Sequence, residues 1–181
     1  MRALLLVPVT VRPIRLLGDP VLRTPSDPVT SYDAELRALV EDLVETVALP
    51  GRAGLAAPQI GVNARVFSYN VEGTLGYVVN PVIVAVEGEQ DGEEGCLSIP
   101  NLYFPTPRAL TATVSGFDQY GEPITVTGSG LLGRALQHET DHLDGTLYID
   151  TLTGDVRRQA LRAVRAAPWA QVERQRMTRS G

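Results

Sequence analysis

Both histidines of this chain fall within one short stretch, Gln137-His138-Glu139-Thr140-Asp141-His142-Leu143-Asp144-Gly145, with the spacing H-E-x-x-H. On an α-helix, residues four apart project from one face a turn apart, so His138 and His142 can offer two imidazole nitrogens to one metal ion. Glu139 then stands beside the ion rather than on it, where a carboxylate can take a proton from water held there. Any fold of this chain must keep that stretch helical and bring further donors to it.

The flanking residues support a helix. Leu131, Leu132, Ala135, Leu136 and Leu143 recur at three- and four-residue spacing, Ser129 offers an N-cap, and Gly145 falls where a left-handed residue commonly ends a helix. The pattern predicts a helix over 129–144. A core helix whose histidines are satisfied by backbone carbonyls is the plainer reading, but a motif that uses the chain's whole stock of histidine weighs against it. A catalytic site of this kind takes three protein ligands and keeps a fourth position for water or substrate. The pattern H-x-x-G-x-x-H would put a third histidine where Tyr148 stands, and the only glutamate further on, Glu173, lies in a charged tail. Cys96, the single cysteine, is the strongest remaining candidate.

At 181 residues and 44% apolar content the chain suits one well-packed domain, read here as a catalytic domain over 1–170 followed by a mobile basic tail over 171–181. One cysteine excludes an intramolecular disulfide, so the fold does not depend on an oxidising compartment. The apolar opening Met1–Pro8 is cut by proline and followed by Arg12 and Arg15, a poor signal peptide and far too short to span a bilayer. Residues 1–18 hold no acid, which leaves a short organellar presequence open. A cytoplasmic monomer with no DNA or membrane partner is the default expectation. All 16 basic residues are arginine. The net charge of −5 hides an asymmetry: residues 155–181 carry +5, against −10 for the rest. A basic end on an acidic body suggests an anionic partner, although a solvated helix face explains it equally well.

In chain order, Pro13, Gly18-Asp19-Pro20, Pro25 and Pro28 suggest extended segments that wrap the domain. Leu36, Leu39, Val40, Leu43, Val44 and Val47 form the apolar face of an amphipathic helix over 32–49, ended by Pro50-Gly51. The small residues of Gly54-Leu55-Ala56-Ala57-Pro58-Gln59 allow a ligand or a backbone to come close, and Gln59 brings an amide that can polarise a carbonyl oxygen. Strands are expected over 64–69, 76–80 and 82–87, with a break at Asn80-Pro81, followed by an acid-rich turn over 87–93. A hairpin over 109–118 and 123–127 delivers the chain to the H-E-x-x-H helix. Leu147–Ile149 reads as one more strand, and a last helix with arginines outside stops near Pro168.

Gly54–Gln59, Glu94-Gly95-Cys96-Leu97-Ser98 and Gln137–Leu143 stand in the order and spacing of the motifs of peptide deformylases, and the proline-rich opening also resembles that family. The resemblance implies an α+β fold in which mixed or antiparallel sheets surround a central metal-binding helix, with an N-terminal amphipathic helix and a C-terminal helix. It implies Cys96, His138 and His142 as ligands of one divalent ion, Fe²⁺ natively and often replaceable by Ni²⁺ or Zn²⁺. Glu139 would be the acid and base, with the Gln59 amide and the Leu97 backbone N–H as donors to the oxyanion. Gly54, Glu94, Tyr103, Leu131 and Arg134 would lie along the substrate's path. Apart from the resemblance, Glu94 and Arg108 can pair to hold the cysteine segment and Asp141 can anchor the helix, with surface salt bridges an equally ordinary fate for such residues. Three departures stand near the substrate: Arg52 where the family usually has glycine, Tyr103 where it often has a basic residue, and Arg134 where an aliphatic side chain commonly borders the methionine pocket.

The reaction implied is hydrolysis of the formyl group from an N-formylmethionyl nascent peptide. Glu139 takes a proton from the attacking water and returns it to the departing amine, leaving formate and a free N-terminus. The basic C-terminal helix could dock on the ribosome. Two rivals remain at this level: an H-E-x-x-H endopeptidase with a third ligand other than Cys96, and a metal-holding or ribosome-associated protein with little or no deformylation.

Overall fold

The computed structural model describes residues 11–179; the opening Met1–Pro8, with its reading as a leader, lies outside the described residues. Prolines keep the first described segment extended apart from a 3-10 turn at Pro20–Arg23, capped by Asp19, whose carboxylate accepts from Val21 N. The first helix, α1 (Ala34–Val47), starts at Asp33, whose side chain accepts from Leu36 N at 3.1 Å. Its apolar stripe, Leu36, Val40, Leu43 and Val47, is buried against Leu55, Val66 and Val79.

Five strands form an antiparallel sheet: β1 (Gly54–Ala56), β2 (Val66–Val71), β3 (Thr74–Glu87), β6 (Thr111–Phe117) and β7 (Pro123–Ser129), in that spatial order. The strands β4 (Glu93–Cys96) and β5 (Ile99–Pro105) make a separate antiparallel hairpin. Strand alternation sorts the two faces of the main sheet. In β6, Ala112 and Val114 are buried, while Thr111, Thr113 and Ser115 point outward and hydrogen-bond Ser129, Thr127 and Thr125 of β7. The buried face receives α2 (Leu131–Leu143), whose Leu136 and Leu143 are fully enclosed by residues that include Phe67, Val78, Ala112 and Val114. Burying one leucine contributes roughly 1.5–3 kcal/mol. After a 3-10 turn at Tyr148–Asp150 come α3 (Gly154–Ala166) and α4 (Pro168–Arg179).

Several local expectations are corrected. Ser129 does not cap α2: it ends β7, where its hydroxyl accepts from Thr111, and the chain turns into the helix at Gly130 with φ 59°. Asn80-Pro81 does not break the sheet. β3 runs through it with a register shift, Asn80 adopts φ 50° and its amide hydrogen-bonds both backbone groups of Val29; a proline is tolerated where a bulge removes the ladder bond. Leu147–Ile149 is no strand but leads into a 3-10 turn, closed by Asp150 accepting from Leu147 N. β1, β4 and β5 are not expected from the sequence: β1 and β4 are only three and four residues long and each includes a glycine, and β5 carries Pro100 and Pro105. Of the tail expected over 171–181, residues 171–179 belong to a helix that begins at Pro168: Ala, Gln, Glu, Arg and Met are intrinsic helix formers, and Trp169 anchors the start by donating to Pro100 O at 3.1 Å. Pro168 does stop α3, with Ala167 extended before it, and then serves as the first residue of α4.

The helix α2 approaches the sheet at backbone distance. A Cβ on Gly133 would lie 2.6 Å from Leu110 O and 2.9 Å from Gly128 O. Alanine within a helix is ordinarily worth about 1 kcal/mol over glycine, but here it must push the helix off the strands. Gly133→Ala is therefore expected to destabilise by about 1–3 kcal/mol, read as a lowered urea midpoint; a raised midpoint would show that the approach is not tight.

Candidate metal centre

Cys96 ends β4 at a tight turn: it pairs with Ile99, so only Leu97 and Ser98 lie in the bend. The turn points the thiol at the imidazole pair on α2. Cys96 Sγ lies 3.3 Å from His142 Nε2, His142 Nε2 lies 3.1 Å from His138 Nε2, and all three atoms fall within 4.8 Å of one another. Donors bound at about 2.0–2.3 Å to one tetrahedral ion stand roughly 3.3–3.7 Å apart, and the separations of His142 Nε2 from Cys96 Sγ and from His138 Nε2 lie near that range. Three donors this close share few protons among themselves, whereas one cation satisfies all three lone pairs. His138 and His142 are buried, and the Tyr148 ring stacks 6.1 Å from that of His138 with its hydroxyl donating to Leu102 O.

Behind the histidines sits Glu94, 4% exposed. Arg108 grips it with Nε to Oε1 at 3.1 Å and Nη2 to Oε2 at 2.8 Å, while its Nη1 donates to Asp141 at 2.7 Å. Arg134 Nη1 adds a contact to Oε1 at 3.3 Å, and Oε2 lies 3.4 Å from His138 Nδ1. Burial alone would favour the neutral acid, but the hydrogen bonds and charges of His138 and Arg108 outweigh it and hold the Glu94 carboxyl down at about 2. The expected Glu94–Arg108 pair and the Asp141 anchor are thus one network, joining the cysteine strand, the segment before β6 and the histidine helix.

Glu139 lies in the opposite environment. Burial pushes its carboxyl up to about 7, and its Oε2 has no hydrogen-bond partner among the described residues. A carboxyl balanced near neutrality can both take and return a proton. Gly54 makes room for it, since a Cβ there would lie 2.3 Å from Glu139 Oε1. Gln59 is clamped by its own loop: Oε1 accepts from Ala56 N at 2.9 Å, which turns Nε2 toward Ser98 Oγ at 3.1 Å and Cys96 Sγ at 3.7 Å.

Several of these groups line one cleft of about 330 Å³, a size that suits a small ligand or a side chain. Gly54, Gln59, Glu94, Leu97 and Leu131 stand on its wall with Cys96, His138 and Glu139. Tyr103, 62% exposed, lies at its rim with the ring flat on Gly95, where a Cβ would come within 2.5 Å. Arg52 lines it as well, held by a bond to Thr46 O, and Arg134 turns its guanidinium away from the opening onto Glu94 and Thr106 O. Ser98 and Tyr148 were missed as parts of the site. Ser98 follows the cysteine motif directly, but the role of Tyr148 depends on the 3-10 turn after α2, which no local pattern announces. The proline-rich opening also belongs here, for Arg15 N donates to Gln59 O, Leu17 N to Ser98 O and Ser26 N to Leu143 O.

Comparison with known proteins agrees with this geometry. The polypeptide deformylase family profile matches residues 11–158. Similar relatives include the peptide deformylase of Acidothermus cellulolyticus, 57% identical over 160 residues that cover 88% of this chain and 89% of the relative. The peptide deformylase of Parafrankia sp. is 52% identical over 163 residues, covering 89% of each. Among solved structures, that of peptide deformylase from Thermus thermophilus superposes with a TM-score of 0.81 at 42% identity, covering 86% of this chain and 94% of that one. Since the match runs through the strap, the sheet and all three segments that meet at the cleft, this chain belongs to the polypeptide deformylase family.

Proposed function

We infer that this protein is a metal-dependent hydrolase that removes the formyl group from N-formylmethionine at the start of nascent polypeptides and releases formate. The observation that carries the reading is the meeting of Cys96, His138 and His142 at a cleft whose wall carries Cys96, His138 and Glu139. Cys96, His138 and His142 would hold the ion. When bound, a divalent cation supplies Lewis acidity, making water acidic enough to ionise near neutral pH and drawing charge from the formyl oxygen. Glu139 accepts the proton of the attacking water and passes it to the nitrogen of the departing amine. The Gln59 amide and the Leu97 N–H face the oxygen on which negative charge develops, each such donor being worth about 3 kcal/mol. Gly54, Tyr103 and Leu131 position the peptide, and the endopeptidase alternative loses ground because Cys96 stands where a third ligand is needed.

The native ion is taken to be Fe²⁺, with Zn²⁺ or Ni²⁺ able to replace it. A thiolate suits a soft or borderline ion and is open to oxidation. Among the described residues no helix is long and apolar enough to cross a membrane. The proposal takes the enzyme to be a cytoplasmic monomer with one catalytic domain. The exposed arginines of α3 and α4, among them Arg158, Arg162, Arg165 and Arg174, suit contact with ribosomal RNA near the emerging peptide.

Three outcomes are expected. A formyl-Met peptide releases formate with wild type, while Glu139→Gln keeps its metal and loses at least about 100-fold in kcat; equal turnover would remove Glu139 from the chemistry. Protein loaded with Fe²⁺ under nitrogen loses activity in air and the zinc form does not, whereas unchanged turnover with iron still bound would count against a ligating thiolate. Binding to ribosomes weakens steeply with salt and disappears on deleting residues 155–181; undiminished binding refutes the docking role.

A further inference from the structure

Arg134 stands four residues before His138, so the two side chains share one face of α2. Its stem lines the cleft beside Ala135 and His138, but its guanidinium turns inward, donating from Nη1 to Glu94 Oε1 at 3.3 Å and to Thr106 O at 2.7 Å. Arg134 is 7% exposed and Thr106 is fully buried. A permanent cation so far from water requires an anion. Glu94 already has the fork of Arg108, which would satisfy a carboxylate by itself.

The second arginine divides the labour of the two oxygens. Oε1 receives Arg134 Nη1 and Arg108 Nε, while Oε2 receives only Arg108 Nη2 and faces His138 Nδ1. With Oε1 held from two sides and Arg134 tied in turn to the Thr106 backbone, the carboxylate cannot swing away from His138 without breaking a buried ion pair. An imidazole whose Nδ1–H is taken by a carboxylate presents the lone pair of Nε2. In His138 that nitrogen is the one 3.1 Å from His142 Nε2.

We propose that Arg134 is a positioning residue for the metal centre: by holding Glu94 Oε1 it keeps Oε2 on His138 Nδ1, and so turns His138 Nε2 toward Cys96 and His142. This rests on the reading of Cys96, His138 and His142 as metal ligands. It departs from the expectation that Arg134 serves the substrate, since the polar contacts of its guanidinium are with the support of a histidine and with a backbone carbonyl.

The test compares wild type with Arg134→Lys, Arg134→Gln and Arg134→Met, measuring Co²⁺ affinity by competition with a chelator and melting of the metal-free forms as a check on folding. Removing support behind a metal ligand typically weakens binding about 10–100-fold. The glutamine and methionine variants are expected to lose about 10-fold, and the lysine variant, which keeps a cation on Glu94, to stay within about threefold of wild type. If the methionine variant does not fold, the lysine and glutamine pair decides the matter. In the zinc-loaded protein, the His138 Nδ1 proton should be protected from exchange in wild type and the lysine variant, and lost to water in the glutamine variant; with only two histidines its resonance is readily assigned. Equal Co²⁺ affinity in all variants, or a lysine variant no better than glutamine, overturns the positioning role. A wild type that binds no Co²⁺ overturns the ligand assignment itself.

Discussion

The buried carboxylate of Glu94 is the interaction on which the rest of the site depends. A charged group at that depth is costly unless every lone pair is met, and its three partners come from two separate places: Arg108 before β6, and Arg134 and His138 on α2. The charge is therefore compensated only when the cysteine hairpin, the β5–β6 connection and the helix have docked together. The docking that satisfies Glu94 also brings Cys96, two residues further along the same chain, within reach of both imidazoles. Assembly of the metal centre and compensation of the buried charge are thus one event.

Small residues make that docking possible. Gly133 lets the helix touch the ends of the strands, Gly54 leaves space for the Glu139 carboxyl, and Gly95 accepts the ring of Tyr103. The extended opening closes the assembly from outside, its backbone hydrogen-bonding to the carbonyls of Gln59, Ser98 and Leu143. One strap thereby touches all three of the motif-bearing segments. Prolines, which hinder that stretch from forming helix or central strand, keep it available for the purpose.

Two glutamates of the site show how environment assigns roles. Glu94, crowded by guanidinium groups, is held ionised at about 2 and serves as fixed charge, whereas Glu139, buried with fewer compensating partners, is pushed up to about 7 and can exchange a proton near neutral pH. The same side chain is a fixed charge in one place and, on the proposed function, an acid and base in the other. The difference lies in which cations the fold sets beside each.

From the sequence alone one could read what local pattern and chemistry carry: the H-E-x-x-H helix to within two residues at its start, the amphipathic helix α1, the β6–β7 hairpin, and the three segments whose order resembles one family. Helical period and strand alternation are local, and so is the spacing that puts two imidazoles on one face. Tertiary structure alone decided the rest. Whether Cys96 reaches the histidines depends on a two-residue turn between a four-residue strand and a strand bounded by prolines, neither of which a local pattern announces. Arg134 reads as a pocket residue until Glu94, forty positions earlier in the chain, is seen to meet its guanidinium. Such pairings arise from the packing of segments distant in sequence, and the free energy that selects them is that of burying charge with its partners, which no local window contains.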